Sequence, residues 1–502
     1  MAEPNHTIGT RTLRGIFWAY GSFVGGRVLS LLATAILARL VVPHDFGLIA
    51  LAVTFMAFLD VFQGLGVSDA LIISGSEDVQ EKADTAFMVS VVMGFVLAVV
   101  TAALGPVAAS FFHQPALVRV MPVLGVNFFL LGLSSTHYAM AQKALNFRAR
   151  TGGELADVLA RGLIGVLLAL AGAGVWSLVV GYLVGTSALT IVLWRQVPWR
   201  PTFSVHRRHL RGLMRFGGSL TGVGVMAGFL NQFDNLVVGR VLGATALGFY
   251  SIASRLPYLL IVNLSVVAGQ VLFPAFATLT RGDMARSYLT ALRYTAAVAL
   301  PLTAFLGILA EPITVGVFGP RWHPAVAAAQ VLCVWALMSP ASMVSGNAIK
   351  AHGRPDLIFK LAVPQAVALV IGSLLLVRQG IVAVSWLQAG IAVPAQIAAA
   401  VIAHRMFSVS WKSLLTSVGP PALAAVLLAL DLIVVHHLIS AAWPTIVVGA
   451  LSGAIIYLGA LVKLAPDIAS RLRALAFPQP PAAEPLPPDI AIALKPDQPV
   501  GV

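Results

Sequence analysis

Arg27 and Arg255 are the two residues of this 502-residue chain best suited to hold an anion. Arg27 stands about twelve residues into the apolar run 15–40, and Arg255 nine or ten residues into the run 246–274. An arginine at the centre of a membrane helix costs about 2.5–3.5 kcal/mol, so it faces a polar interior and marks a functional site. Its forked N–H donors match phosphate oxygens in a way that a lysine does not. Ser30, one turn beyond Arg27, and Tyr258, one turn beyond Arg255, extend the two polar faces, and Asn231 adds to a third in the run 215–239. The competing use of either arginine is an internal ion pair that locks helices together.

Asp60 and Asp234 are the acids placed to carry a coupling ion. Asp60 is followed at helical spacing by Gln63, and Asp234 lies between Asn231 and Asn235. A carboxylate held away from water can exchange a proton during a transport cycle. Asn231, Asp234 and Asn235 can alternatively ligate Na+ through oxygen atoms. Hydrogen bonding between helices is the third use open to them. Arg161 reads differently, because Asp157 stands four residues before it and the pair is expected to make a structural salt bridge near the cytoplasmic surface. Arg293 and Lys360 lie close enough to span ends to reach the interface. Arg39 and Arg240 cap equivalent turns, where a shared role in closing each helical hairpin is expected. Asp431 has His436 and His437 within reach along its own helix.

No enzyme constellation accompanies these residues. The sequence has no Walker A pattern, its histidines are scattered without metal-ligand spacing, and Cys333 is its single cysteine. No cofactor is expected beyond a possible H+ or Na+. The net charge of +13 would suit nucleic acid on a soluble basic face, but the basic residues lie between apolar spans, so nucleic acid is not an expected partner.

The elements that position these residues are membrane helices. Apolar residues make up 59% of the chain and charged residues only 10%, far below a soluble domain. About fourteen apolar runs have spanning length, the first being a retained helix rather than a signal peptide. Six runs fall in 1–195 and six in 215–405, joined by a basic linker at 196–214; two more lie in 406–466, followed by a Pro-rich tail at 467–502 expected to be disordered. Six is even, so the two halves point the same way across the membrane. Twenty-two basic residues, including Arg148, Arg150, Arg195, Arg207, Arg208 and Lys463, fall on one set of connections and five on the other. That asymmetry predicts cytoplasmic termini. The halves also repeat: an offset of 201 positions sets Arg39 on Arg240, Gly47 on Gly248, and Ser30 and Thr34 on Asn231 and Asn235.

Three stretches carry a family resemblance: 36–52 (ILARLVVPHDFGLIALA), 235–260 (NLVVGRVLGATALGFYSIASRLPYLL) and 271–279 (VLFPAFATL). They resemble Wzx-type polysaccharide flippases, in the colanic-acid-exporter-like branch of the multidrug/oligosaccharidyl-lipid/polysaccharide exporter superfamily. The resemblance runs from about Thr12 to Pro466. It implies an all-α integral membrane protein of about fourteen transmembrane helices, with two six-helix lobes in a V around a central cavity, MATE/MurJ-like, plus two C-terminal helices. It also implies alternating-access transfer of undecaprenyl-diphosphate-linked oligosaccharide across the bacterial inner membrane. Arg27 and Arg255 would then meet the diphosphate, and a polysaccharide polymerase and glycosyltransferases would be partners. A peptidoglycan-precursor flippase or a cation-coupled multidrug antiporter is the alternative within the superfamily. A membrane polysaccharide polymerase or ligase is a remoter one, opposed by the shortness of the longest outer connection, about 311–324.

Overall fold

The computed structural model describes residues 25–64, 71–72, 78–144, 146–202, 204–206, 208–210, 228–229 and 231–467. The start of the first expected span, Arg207 and Arg211 in the linker, Arg215 just beyond it, and the tail beyond Asp467 lie outside them. The described residues form helices and no strand. In hydrocarbon a backbone must satisfy its own N–H and C=O groups, and a helix does so within one segment.

The amino-terminal half comprises α1 (25–40), α2 (Pro43–Gly64), α3 (Val79–Phe112), α4 (Leu117–Lys143), α5 (Phe147–Leu170) and α6 (Val175–Gln196). The second half begins with α7 (231–241) and α8 (Gly243–Pro257), which runs through a π-helical turn, Tyr258–Val262, into α9 (Asn263–Ala277). It continues with α10 (Arg281–Ile308), α11 (Val326–Ala351), α12 (Pro355–Leu376) and α13 (Ile381–Phe407). The last two helices are α14 (Trp411–Leu438) and α15 (Ala442–Leu464).

Eleven spans among the described residues are long and apolar enough to cross a membrane. The expected fourteen is not reached on that measure. α5 is helical over a spanning length, but Glu154, Asp157 and Arg161 make it too charged to count. α1 and α7 are described only in part.

Each lobe is held by pairs of neighbouring helices: α3 on α4 and α5 on α6 in the first, α11 on α10 and α13 in the second. Glycines set the closest approach. Gly181 on α6 leaves room for the Arg161 carbonyl and Gly165 of α5, and Gly185 for Asp157 and Arg161. Small residues let membrane helices pack through their backbones, where no hydrophobic force drives them together. α14 packs on α10, and α15 on α14, with Ser452 donating to Asp431 at 2.7 Å. Asp431 is thus paired across to α15 rather than with His436 or His437.

The lobes meet along α2 and α8. One buried cluster runs through both, from Leu48, Leu51 and Ala52 to Val237, Leu247 and Tyr250. This contact lies at the end of the molecule opposite the basic connections, called here the far face. Trp322, fully buried there, donates from Nε1 to the Ala38 carbonyl at 2.8 Å and packs its ring edge-on to Phe46 and Phe249.

Arg39 and Arg240 correct the hairpin expectation. Each crosses to the opposite lobe instead of closing its own turn. Arg39 donates to the carbonyls of Gly316 and Val317, and Arg240 to the His113 ring while lying over Phe111. The turn between α7 and α8 is made by Gly243 at φ 86°, a conformation that costs glycine little. It delivers Arg240 outward to the α3–α4 connection.

At the basic face the linker folds back on the first lobe. Asp84, 2% exposed, accepts from the Thr202 backbone N–H at 3.0 Å, the Thr202 hydroxyl at 2.7 Å and Gln80 at 3.2 Å. Arg208 pairs with Glu81 at 2.6 Å and Asp78 at 3.3 Å.

Candidate functional site: an arginine-lined cavity

Below the α2–α8 contact lies a cavity of about 320 Å3. Leu37 and Gly162 line its far end, and Gly26 and Thr151 its basic end. Three guanidinium-bearing residues border it: Arg27 from α1, Arg161 from α5 and Arg255 from α8. Ser30, Thr34, Thr151, Glu154 and Asp157 supply the remaining polar walls. Arg255 belongs to the second lobe, yet it reaches the first: its Nη2 stands 3.5 Å from the Ser30 hydroxyl and 3.4 Å from that of Thr34. The charges of Arg161 and Arg27 both act on Arg255. Three like charges around one space repel, and an anion among them would relieve that repulsion.

Local structure explains how the cluster is held. Arg255 precedes Pro257, which has no N–H to return to the preceding turn, and the π-helical turn from Tyr258 follows. Arg161 is fixed from two sides. It donates to Asp157 Oδ1 and Oδ2 at 2.8 and 3.0 Å, and its guanidinium carbon sits 4.2 Å from the centre of the Tyr182 ring. The expected Asp157–Arg161 pair therefore forms, but on the cavity wall. Arg161 Nε is buried with no hydrogen-bond partner, leaving a donor unused.

The structure brings together Arg27, Ser30 and Arg255 of the sequence-derived set, and adds Arg161. Tyr258 and Asn231 do not line this cavity; both are exposed. Nor do Asn231, Asp234 and Asn235 converge. Asn235 donates to Gln232 at 2.9 Å, whereas Asp234, 8% exposed, points into the second lobe. Its Oδ2 accepts from the Tyr250 hydroxyl at 2.8 Å and from Gln388 Nε2 at 3.0 Å; its Oδ1 is buried without a partner. Asp60 is exposed on α2, within electrostatic reach of Tyr182, and the neighbouring Gln63 amide is buried with no partner. Among the described residues no cluster of three His, Cys, Asp or Glu has metal-site geometry.

Sequence reasoning missed Arg161 as a cavity residue, and Tyr250 and Gln388 as partners of Asp234. The signal for Arg161 was present: its depth in α5 equals that of an interior residue, but the nearby acid offered a sufficient local explanation.

The fold and cavity define a two-lobed helical membrane protein of the MurJ and MATE transporter architecture. The chain superposes on the lipid II flippase MurJ in its inward closed conformation with a TM-score of 0.75 at 13% identity, covering 90% of this chain and 99% of that one. Residues 36–327, more than half the chain, match the family described as polysaccharide biosynthesis protein, and the chain belongs to that family. It is 25% identical over 362 residues to the lipopolysaccharide biosynthesis protein WzxC of Escherichia coli (strain K12), covering 70% of this chain and 72% of that protein. It is 27% identical over 369 residues to the succinoglycan biosynthesis transport protein ExoT of Rhizobium meliloti (strain 1021), covering 72% and 74%.

Proposed function

We propose that this protein is a flippase that carries undecaprenyl-diphosphate-linked oligosaccharide across the bacterial inner membrane by alternating access, for exopolysaccharide, capsule or O-antigen synthesis. The basic face is cytoplasmic on the positive-inside asymmetry, with both termini on that side. The observation that carries the reading is the convergence of Arg27, Arg161 and Arg255, from three helices and both lobes, on one cavity. A diphosphate is a compact, multiply charged anion whose oxygens match guanidinium forks. Bound there, it would draw Arg255 of the second lobe toward Arg27 and Arg161 of the first, coupling loading to lobe closure. The prenyl tail would stay in lipid. A polymerase and glycosyltransferases would supply and use the cargo. A peptidoglycan-precursor carrier would share this chemistry; three cations, against two carboxylates already paired with Arg150 and Arg161, suit a cationic drug poorly.

Asp234 is our candidate for the coupling ion, with Asp60 as the second acid. The unpaired Oδ1 of Asp234 supports it: one carboxylate oxygen is held by two donors while the other can accept a proton or a cation.

The deciding experiment compares binding of the purified chain to an undecaprenyl-diphosphate sugar and to an uncharged analogue. The intact protein should prefer the diphosphate; Arg27→Ala and Arg255→Ala should lose that preference, and the lysine variants should fall between. Full preference in both alanine variants would refute the site.

A further inference from the structure

The diphosphate reading leaves Glu154 without a task. This acid lines the same cavity as the arginines, on the same face of α5 as Arg161 and seven residues nearer the basic end. Seven residues of helix advance about 10 Å. Its Oε1 is fixed by two donors, the Tyr138 hydroxyl at 2.7 Å and Arg150 Nε at 3.2 Å. Both donors go to one oxygen, so Oε2 is left as an immobilised acceptor. Thr151, one turn away, adds a hydroxyl to the same wall. An ionised carboxylate only accepts, and a hydroxyl both donates and accepts, which together suit the hydroxyl groups of a sugar.

The shape of the cavity says which part of a cargo reaches this wall. Its far end stops at Leu37 and Gly162, below the α2–α8 contact, and Thr151 and Glu154 lie at the opposite, basic end beside Arg27, so a group attached to an anion held between Arg161 and Arg255 meets them as it extends away from the closed end. We propose that Glu154 and Thr151 form a saccharide subsite that reads the first sugar on the diphosphate, accepting a neutral, hydroxyl-rich ring and disfavouring a uronic acid. The inference rests on the diphosphate reading and adds a preference that the arginines alone would not produce. A carboxylate on the sugar would meet Glu154 with like charge and no proton to share, whereas a neutral ring presents donors. Tyr138 and Arg150 act as positioning residues, holding the Glu154 carboxylate rather than touching the sugar.

The test uses the full chain in lipid nanodiscs and three probes: undecaprenyl diphosphate, its N-acetylglucosamine conjugate and its glucuronic acid conjugate. The intact protein should bind the neutral conjugate about tenfold more tightly than the glucuronate. Glu154→Gln should bring the two conjugates to within about twofold of each other, while undecaprenyl diphosphate, which carries no sugar, should bind at least as tightly as before because a negative charge has left the cavity. Arg27→Ala should weaken all three alike and so reports on the diphosphate site separately. Arg150→Ala removes the salt bridge and keeps the carboxylate; discrimination between the conjugates should survive in part. An unaltered neutral-over-glucuronate preference in a folded Glu154→Gln protein would overturn the subsite, as would equal binding of the two conjugates by the intact protein. If Arg27→Ala and Arg255→Ala both leave all three probes unchanged while Glu154→Gln abolishes discrimination, the diphosphate site fails and the saccharide subsite stands.

Discussion

Gly47 and Gly248 make reciprocal contacts across the lobe interface. A methyl group added at Gly47 would overlap the Ala244 carbonyl, and one added at Gly248 would overlap the Pro43 carbonyl. Pro43 and Ala244 are separated by the same 201 positions as the two glycines, so the repeat meets itself as the two faces of a two-fold dimer do. Arg39 and Arg240, also equivalent, tie the same end by crossing to opposite lobes. The far face is closed by backbone touching backbone.

Alternating access requires that contact to part and re-form. Gly47→Val and Gly248→Val should each block closure, because overpacking a tight contact costs about 1–3 kcal/mol even where neighbours can shift. We expect transport to fall by at least about tenfold with normal abundance. A cysteine at Leu37, in a chain with Cys333 replaced, should become more reactive to an impermeant thiol reagent from outside. Unchanged labelling would mean that the glycines do not control the far face.

Arg161 has two roles that a pair of substitutions separates. Arg161→Ala removes a cavity cation and strands Asp157, so diphosphate binding should drop about tenfold and abundance should also fall. Asp157→Asn keeps the guanidinium and releases it from its partner, so binding should be retained or tightened. Equal losses in both variants would make the salt bridge, and not the cation, what matters.

Asp234 should be the residue through which an ion gradient is felt. Asp234→Asn should slow translocation and remove its dependence on an imposed gradient, while cargo binding persists. Tyr250→Phe deletes one of two donors to Oδ2 and should cost about 1–3 kcal/mol of stability, measured by thermal unfolding of the purified protein. Gradient-dependent transport at the normal rate in Asp234→Asn would shift attention to Asp60.

Asp84 should matter to stability and not to cargo. It accepts hydrogen bonds from three donor groups at a buried position and holds the linker to α3 through Thr202. Asp84→Ala should destabilise the protein by about 1–3 kcal/mol and leave the preference for the diphosphate intact. Calorimetry and the binding assay together check both halves of that statement.

Helices and their approximate limits were legible in the sequence because lipid leaves the backbone few choices and apolar runs mark where lipid is. The internal repeat was legible too, since it survives as matched residues such as Arg39 and Arg240. The depth of Arg27 and Arg255 identified them as interior cations, and the cavity they line brings them together with Ser30. What those residues face was decided by tertiary structure. Local spacing explained Arg161 by Asp157 alone, and only the packing of α5 against α1, α6 and Arg255 made it a third cation. Equivalent turns suggested that Arg39 and Arg240 close their own hairpins, but a guanidinium on a turn pairs with whatever loop is brought within reach. That loop belongs to the other lobe, 127 positions away for Arg240 and 277 or 278 for Arg39. Asp234 likewise shares a helix with Asn231 and Asn235, yet neighbours one turn apart diverge once one side of the helix is buried. Its partners, Tyr250 and Gln388, lie 16 and 154 positions distant. Pairings at such separations are set by how helices dock, and no local period records them.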